Sequence, residues 1–173
     1  MKKENLLIIG AGIYGAVAKE VAVSMGRFGR IDFVDDFSAT AYDGSAVVGT
    51  TSELCELSSQ YDSIAVAIGN SELRLSLLCK IEREKRFNIA TLVSPSACIS
   101  PSARIGAGSV VEPAAVVHTG ASVGVGCIIS AGAVINHFAS IGDGAHIDCN
   151  ATVAGNVEVP LGTKIPFGSV FTG

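Results

Sequence analysis

The chain has 173 residues, a formal net charge of −4 and a pI near 5.3, which leaves no basic patch for nucleic acid. No apolar run approaches the roughly 18 residues a membrane span needs. The five cysteines (Cys55, Cys79, Cys98, Cys127 and Cys149) are odd in number and lack metal-motif spacing, which argues against a disulfide framework or a zinc site and for reduced, buried thiols in a cytoplasmic protein.

Residues 1–90 read as a small α/β unit. The opening "MKKENLLIIGAGIYG" pairs two lysines with an apolar run, as a signal peptide does. The run breaks at Gly10 and passes into a glycine-rich turn, so "NLLIIG" is predicted to be a buried strand. Ala16 to Met25 is predicted to be a helix with Gly26 as its cap. "IDFVDD" is a second strand ending in Asp35 and Asp36. "SIAVAIGN" is a third, followed by a charged amphipathic helix from about Glu72 to Arg86. Arg74 is either a phosphate contact or a surface charge of that helix. Alternating strands and helices imply a parallel sheet that takes ligands at the carboxyl ends of its strands.

The turn "GAGIYG", Gly10 to Gly15, matches G-x-G-x-x-G between a strand and a helix, with acids some 20 residues on. Gly10 suits the tight turn. Gly12 lets backbone approach a phosphate at the helix start. A nicotinamide-binding protein is one reading of this motif. The unit is only half the size of a two-lobed dinucleotide fold, however, so a mononucleotide or nucleotide-sugar ligand suits it better.

Residues 91–173 follow a different grammar. An aliphatic residue recurs at every sixth position from Val93 through Ile105, Val117, Ile129, Ile141 and Val153 to Ile165, thirteen hexads in all, and Phe171 continues the register. Four places after each stands a small or β-branched residue, such as Ala97, Ala115, Cys127, Ala139 or Ala151. A period of six is neither helical nor simply extended. It describes a short strand and a corner, repeated, with the aliphatic residue inward and the small one filling the crowded inner corner. This pattern resembles the hexapeptide-repeat superfamily, which implies a left-handed parallel β-helix with 18 residues per coil. Thirteen hexads then make a little over four coils, roughly 20 Å tall.

The register gives coordinates to the three histidines, His118, His137 and His146. Their separations of 19 and 9 residues place them on mismatched faces, so no metal is expected among them. His118 falls in the coil position beside Asn136 and is expected to be a surface residue. His137 and His146 fall outside the inward positions. Gly155, one coil beyond His137, is expected to stack directly beside it. A histidine next to a glycine N–H suits acyl transfer: imidazole takes a proton from the attacking group, and the N–H stabilises the oxyanion.

The order of "INHFASIGDGAHIDCNATVAGNV", together with "LLIIGAGIYG", "FVDDF", "AIGNSELR" and "SPSACISPSARIG", resembles the bacterial sugar acetyltransferases of this superfamily. These include the bacillosamine-pathway enzymes that N-acetylate a UDP-4-amino-sugar, and the sialic acid O-acetyltransferases. The resemblance implies a homotrimeric, acetyl-coenzyme A-dependent acetyltransferase acting on a sugar or UDP-sugar acceptor, without a metal. It makes His137 the general base, Gly155 the oxyanion donor, and His146, with Gly155, a contact for acetyl-coenzyme A. Gly10, Gly12, Tyr14, Asp35 and Asp36 would hold the acceptor.

Three positions depart from the family pattern. Phe138 follows His137 where relatives have an orienting acid, leaving only Asp143 or Asp148 to serve if the fold brings one near. Tyr14 stands where relatives have a histidine. The register stops soon after Phe171, as in a C-terminally shortened member. A catalytically impaired nucleotide-sugar-binding or scaffold β-helix is the alternative these departures raise.

Overall fold

A computed structural model describes residues 3–173. The chain forms two compact units, residues 1–90 and 91–173.

In the first unit, strand β1 (Glu4–Ile9) leads into helix α1 (Ile13–Ser24), then β2 (Phe28–Val34). A short helix α2 (Leu54–Leu57) precedes β3 (Ser63–Val66), helix α3 (Ser71–Glu84) and the two-residue β4 (Asn88–Ile89). The sheet is wholly parallel in the order β2-β1-β3-β4. Its centre is buried because parallel strands are covered on both faces: Leu6, Leu7, Ile8 and Ile64 are fully enclosed.

Helix α1 begins earlier than the sequence predicts, while α3 starts at Ser71, beside the expected Glu72. The first helical turn of α1 uses Ile13, Tyr14 and Gly15 of the glycine-rich motif itself, with Gly12 as its N-cap. In α3 the Asn70 side chain accepts the Leu73 N–H at 2.9 Å, satisfying one of the donors a helix start leaves open. Lys85, at φ 52°, ends that helix in the left-handed conformation. No described helix is long and apolar enough to cross a membrane.

The second unit is the left-handed parallel β-helix. Its strands are two residues long and pair only with strands 18 residues away, as in Val93↔Val111, Val123↔Ile141 and Ile147↔Ile165. They build three sheets of four, five and five strands. Each hexad's aliphatic residue points inward, and Val111, Ile129, Ile135, Ile147 and Val153 are fully buried together with Ala115, Cys127, Ala133, Ala145 and Ala151.

Between strands lies a tight turn closed by a backbone hydrogen bond, such as Ala139 N–H to Asn136 O at 3.2 Å. From residue 108 onward its second central residue has positive φ in every hexad: Gly108, Ala114, Gly120, Gly126, Gly132, Phe138, Gly144, Asn150, Asn156, Gly162 and Gly168. Glycine and asparagine are the residues that visit this region at least cost.

Among the described residues no cysteine is in a disulfide, and the expectation that they are buried holds only for Cys127. Cys55, Cys79 and Cys98 are exposed and Cys149 is half-buried. They lie on helices facing water or at outward positions of the hexad, where a small thiol meets no packing demand.

Candidate acyl-transfer corner and nucleotide cavity

His137 is the first central residue of the turn that follows the strand Val134–Ile135. It is exposed, and its ring lies against the coil above. A β-carbon built on Gly155 would sit 2.7 Å from His137 Nε2 and 2.8 Å from Cε1. The imidazole therefore occupies the space a side chain at Gly155 would fill. The carbonyl of His137 accepts the Asn156 N–H at 3.0 Å, which ties the two turns together.

In these turns the N–H of the first central residue is not used by the ladder. Among the described residues, the Gly155 N–H accordingly donates to no protein group. A basic ring nitrogen and an uncommitted N–H thus stand side by side at one corner.

Neither candidate acid reaches His137. Asp143 Oδ1 accepts the Val125 N–H at 2.7 Å, one coil back on its own stack. Asp148 pairs with Lys164 at 3.0 Å and stands 3.8 Å from His146 Nε2. Burial pushes the Asp148 carboxyl up, but the Cys149 N–H, the Lys164 ammonium and His146 outweigh it and hold it below the ordinary value. The ring beside His137 is Phe138, edge-on, with centroids 6.1 Å apart and planes at 86°.

His146 stacks between Ile128 and Lys164 on one flat face of the prism. Its Nε2 is 3.1 Å from Ser130 Oγ. His146 is thus half-buried in a polar strip with Ser130, Asp148 and Lys164, rather than free at a corner. His118 is exposed.

The α/β unit carries a cavity of about 400 Å³ at the carboxyl ends of its strands, lined among others by Gly10, Gly12, Tyr14, Asp35, Asp36 and Phe37. It lies where the strand order reverses between β1 and β3, the usual place for a ligand in an open parallel sheet. The three motif glycines have different reasons. A β-carbon on Gly10 would meet the Ala67 carbonyl at 2.7 Å, and one on Gly15 would meet the Gly10 carbonyl at 2.1 Å. Around Gly12 there is open space within 4 Å, so this position alone faces outward without a packing demand.

The two acids are occupied by backbone. Asp35 accepts from Ala11, Phe37 and Ser38 N–H groups at 2.9, 2.9 and 3.1 Å. Burial pushes its carboxyl up, yet these three donors hold it below the ordinary value. Asp36 takes both the N–H and the hydroxyl of Thr51, at 2.7 and 2.8 Å. They brace the loops that frame the cavity.

Two contributors escape a sequence reading. Phe37 is 99% exposed at the cavity rim, and nothing in one sequence distinguishes it from a buried aromatic. Arg74 is 1% exposed, neither of the two roles considered for it. Its guanidinium donates to the carbonyls of Ile68 and Gly69 at 2.6 and 3.0 Å, fixing the loop after β3 that forms one wall. The signal for it was its place one turn inside a helix whose loop carbonyls turn back toward the helix start.

Residues 5–81 match the family described as the PglD N-terminal domain. Among solved structures, the chain is similar to the acetyltransferase domain of PglB from Neisseria gonorrhoeae FA1090, at 34% identity and a TM-score of 0.91, over 97% of this chain and 82% of that one. The same domain in complex with acetyl coenzyme A superposes with a TM-score of 0.92 at 34% identity, over 98% and 82% of the two chains. A perosamine N-acetyltransferase from Caulobacter crescentus, in complex with CoA and GDP-perosamine, follows at 26% identity and a TM-score of 0.77, over 97% and 88% of the two chains.

Proposed function

Because the chain belongs to the hexapeptide-repeat sugar acetyltransferase family, we propose that it is an acetyl-coenzyme A-dependent N-acetyltransferase of a nucleotide-linked amino sugar, with His137 as general base. The observation that carries this reading is the His137 imidazole lying in the side-chain space of Gly155, beside that residue's uncommitted N–H. Bound acetyl-coenzyme A supplies an activated acetyl thioester.

His137 takes the proton from the acceptor amine as its nitrogen bonds to the acetyl carbon. The carbonyl oxygen gathers negative charge, and the Gly155 N–H stabilises it. The C–S bond then breaks, the amide is formed, and the proton held on His137 leaves with the thiol or to solvent. Among the described residues no serine or cysteine hydrogen-bonds the His137 ring, and direct attack by the amine without an acyl-enzyme is the reading this favours.

His146 and Lys164 present N–H donors along one face of the prism. They fit the phosphate and amide oxygens of a coenzyme A chain, with Lys164 exposed and paired with Asp148, and His146 standing 3.8 Å from the same carboxylate. In the α/β unit, Gly12 and the start of α1 suit a phosphate, and Phe37 offers a face for a nucleobase. Asp35 and Asp36 serve the acceptor by shaping the loops around it, and Tyr14 lines the same cavity. Trimeric assembly and a cytoplasmic setting accompany this reading.

The test follows release of free coenzyme A thiol with UDP-amino sugars as acceptors. His137→Ala is expected to lower kcat by about 10²–10⁴-fold, the usual contribution of a general base. Equal rates in variant and wild type would overturn the assignment.

A further inference from the structure

Phe138 occupies the one backbone position in the hexad that bulky residues avoid. Its φ is 56°, and ten other turns of the prism place glycine, asparagine or, once, alanine there. A large side chain in this region is strained, and such strain persists where the surroundings impose it, commonly at functional sites. Burial does not repay it here, since Phe138 remains 60% exposed.

The ring is nevertheless held in place. A β-carbon on Gly120, one coil below, would lie 2.4 Å from Phe138 Cδ1 and Cε1, so the ring rests on that glycine. The Phe138 N–H donates to Thr119 O at 3.0 Å. His137 leans the other way, onto Gly155. The two rings meet edge-to-face between these supports.

We infer that Phe138 is a positioning residue for His137, its ring walling one side of the imidazole and keeping Nε2 on the Gly155 side where an orienting carboxylate is lacking. This rests on the reading of His137 as the base. An imidazole with no hydrogen-bond partner on its ring among the described residues is free to turn about its Cα–Cβ and Cβ–Cγ bonds. An edge-to-face aromatic neighbour narrows that freedom. Phe138 touches neither proton nor acyl group in this role; it acts through the ring beside it.

The strain makes the test sharp, because removing the side chain relaxes the backbone. Phe138→Gly and Phe138→Asn place in this turn the residues its neighbours use. Both are expected to raise Tm by roughly 2–4 °C while lowering kcat roughly 10- to 100-fold. KM for the amino-sugar acceptor should stay within twofold. Phe138→Tyr, which keeps the ring, should restore kcat to near wild type.

A kcat within twofold of wild type in both relaxed variants would overturn the inference. So would a rise in acceptor KM with kcat unchanged, which makes Phe138 a substrate contact, or a fall in Tm, which removes the strain premise. His137→Ala, assayed in parallel, separates the two levels. If it is inactive while Phe138→Gly is fully active, only the positioning role fails; if it keeps its rate, the base assignment beneath it fails.

Discussion

Gly155→Ala probes the acyl-transfer corner by a single methyl group. The added carbon would lie 2.7 Å from His137 Nε2, 2.8 Å from Cε1 and 3.1 Å from Cδ2. Ordinary contact between such atoms is about 3.5–4.0 Å, so the imidazole must withdraw by roughly 0.8–1.3 Å. The backbone tolerates the change, because Gly155 is not among the residues at positive φ, and a side-chain ring gives way more cheaply than main chain. Tm should therefore move by no more than about 2–4 °C.

Catalysis is less forgiving. Productive geometry is held within about 0.5 Å, and a misplacement near 1 Å costs on the order of 10²-fold. That is about 2.7 kcal/mol of transition-state stabilisation at 1.36 kcal/mol per decade. The assay is thiol release at saturating acetyl-coenzyme A and nucleotide-amino sugar, with a thermal melt on the same samples. The Gly155 N–H survives the substitution, so the loss is expected to run through His137. His137→Ala combined with Gly155→Ala should then lose little more than His137→Ala alone. A single variant with wild-type kcat and an intact fold, or full additivity in the double variant, would refute the reasoning.

Three further outcomes follow from other contacts. Gly10→Ala drives a β-carbon to 2.7 Å from the Ala67 main-chain carbonyl at φ 101°, where only backbone can yield; a loss of about 2–4 kcal/mol is expected in urea unfolding, and none would contradict the packing described. Arg74→Met strips the buried guanidinium from the Ile68 and Gly69 carbonyls and should cost about 2–4 kcal/mol, together with weaker nucleotide binding by calorimetry; unchanged affinity would separate that loop from the cavity. The Lys19 ammonium, followed by the Ser45 N–H, lowers Asp43 to about 2 from an ordinary value of about 3.9, so its contribution is fully present above about pH 4 and fades as pH falls through about 2. The Tm difference between wild type and Asp43→Asn should shrink over that window, and a constant difference down to pH 2 would count against the ion pair as its source.

The β-helix was legible because its physics is periodic. Val111, Ile129 and Ile147 are spaced by one coil and meet in one core, so a single sequence carries its own internal alignment. The same register sets Gly155 against His137. The α/β unit was legible in type but not in detail. A two-period strand and an amphipathic helix announce themselves locally, whereas Arg74 is internal because loop carbonyls fold back over it, and Asp35 is engaged because the Ala11 N–H, 24 residues away in sequence, arrives beside it. Such pairings depend on tertiary closure. At the left-handed position the column Gly120, Gly126, Gly132, Gly144, Asn150, Asn156 has Phe138 as its one bulky member, a departure that only the turn conformation makes meaningful.

The turn also shows how a repetitive scaffold can supply the proposed acyl-transfer corner with few special residues. Each hexad's turn consumes one N–H to close itself and gives others to the coil-to-coil ladder, as in Ala151 to Asp148 and Asn156 to His137. The N–H of its first central residue is left out of that ladder: at Val125, Ala131 and Cys149 a carboxylate takes it, whereas among the described residues the Gly155 N–H has no protein acceptor. In the proposed mechanism generic structure thus supplies the oxyanion donor; what distinguishes this corner is the imidazole of His137 and the missing side chain of Gly155 above it. A basic group on one coil and a void on the next are enough to bring proton acceptor and N–H donor together. The rest of the hexad remains free to serve the core, and for that reason one methyl at Gly155 is expected to act on rate more than on stability.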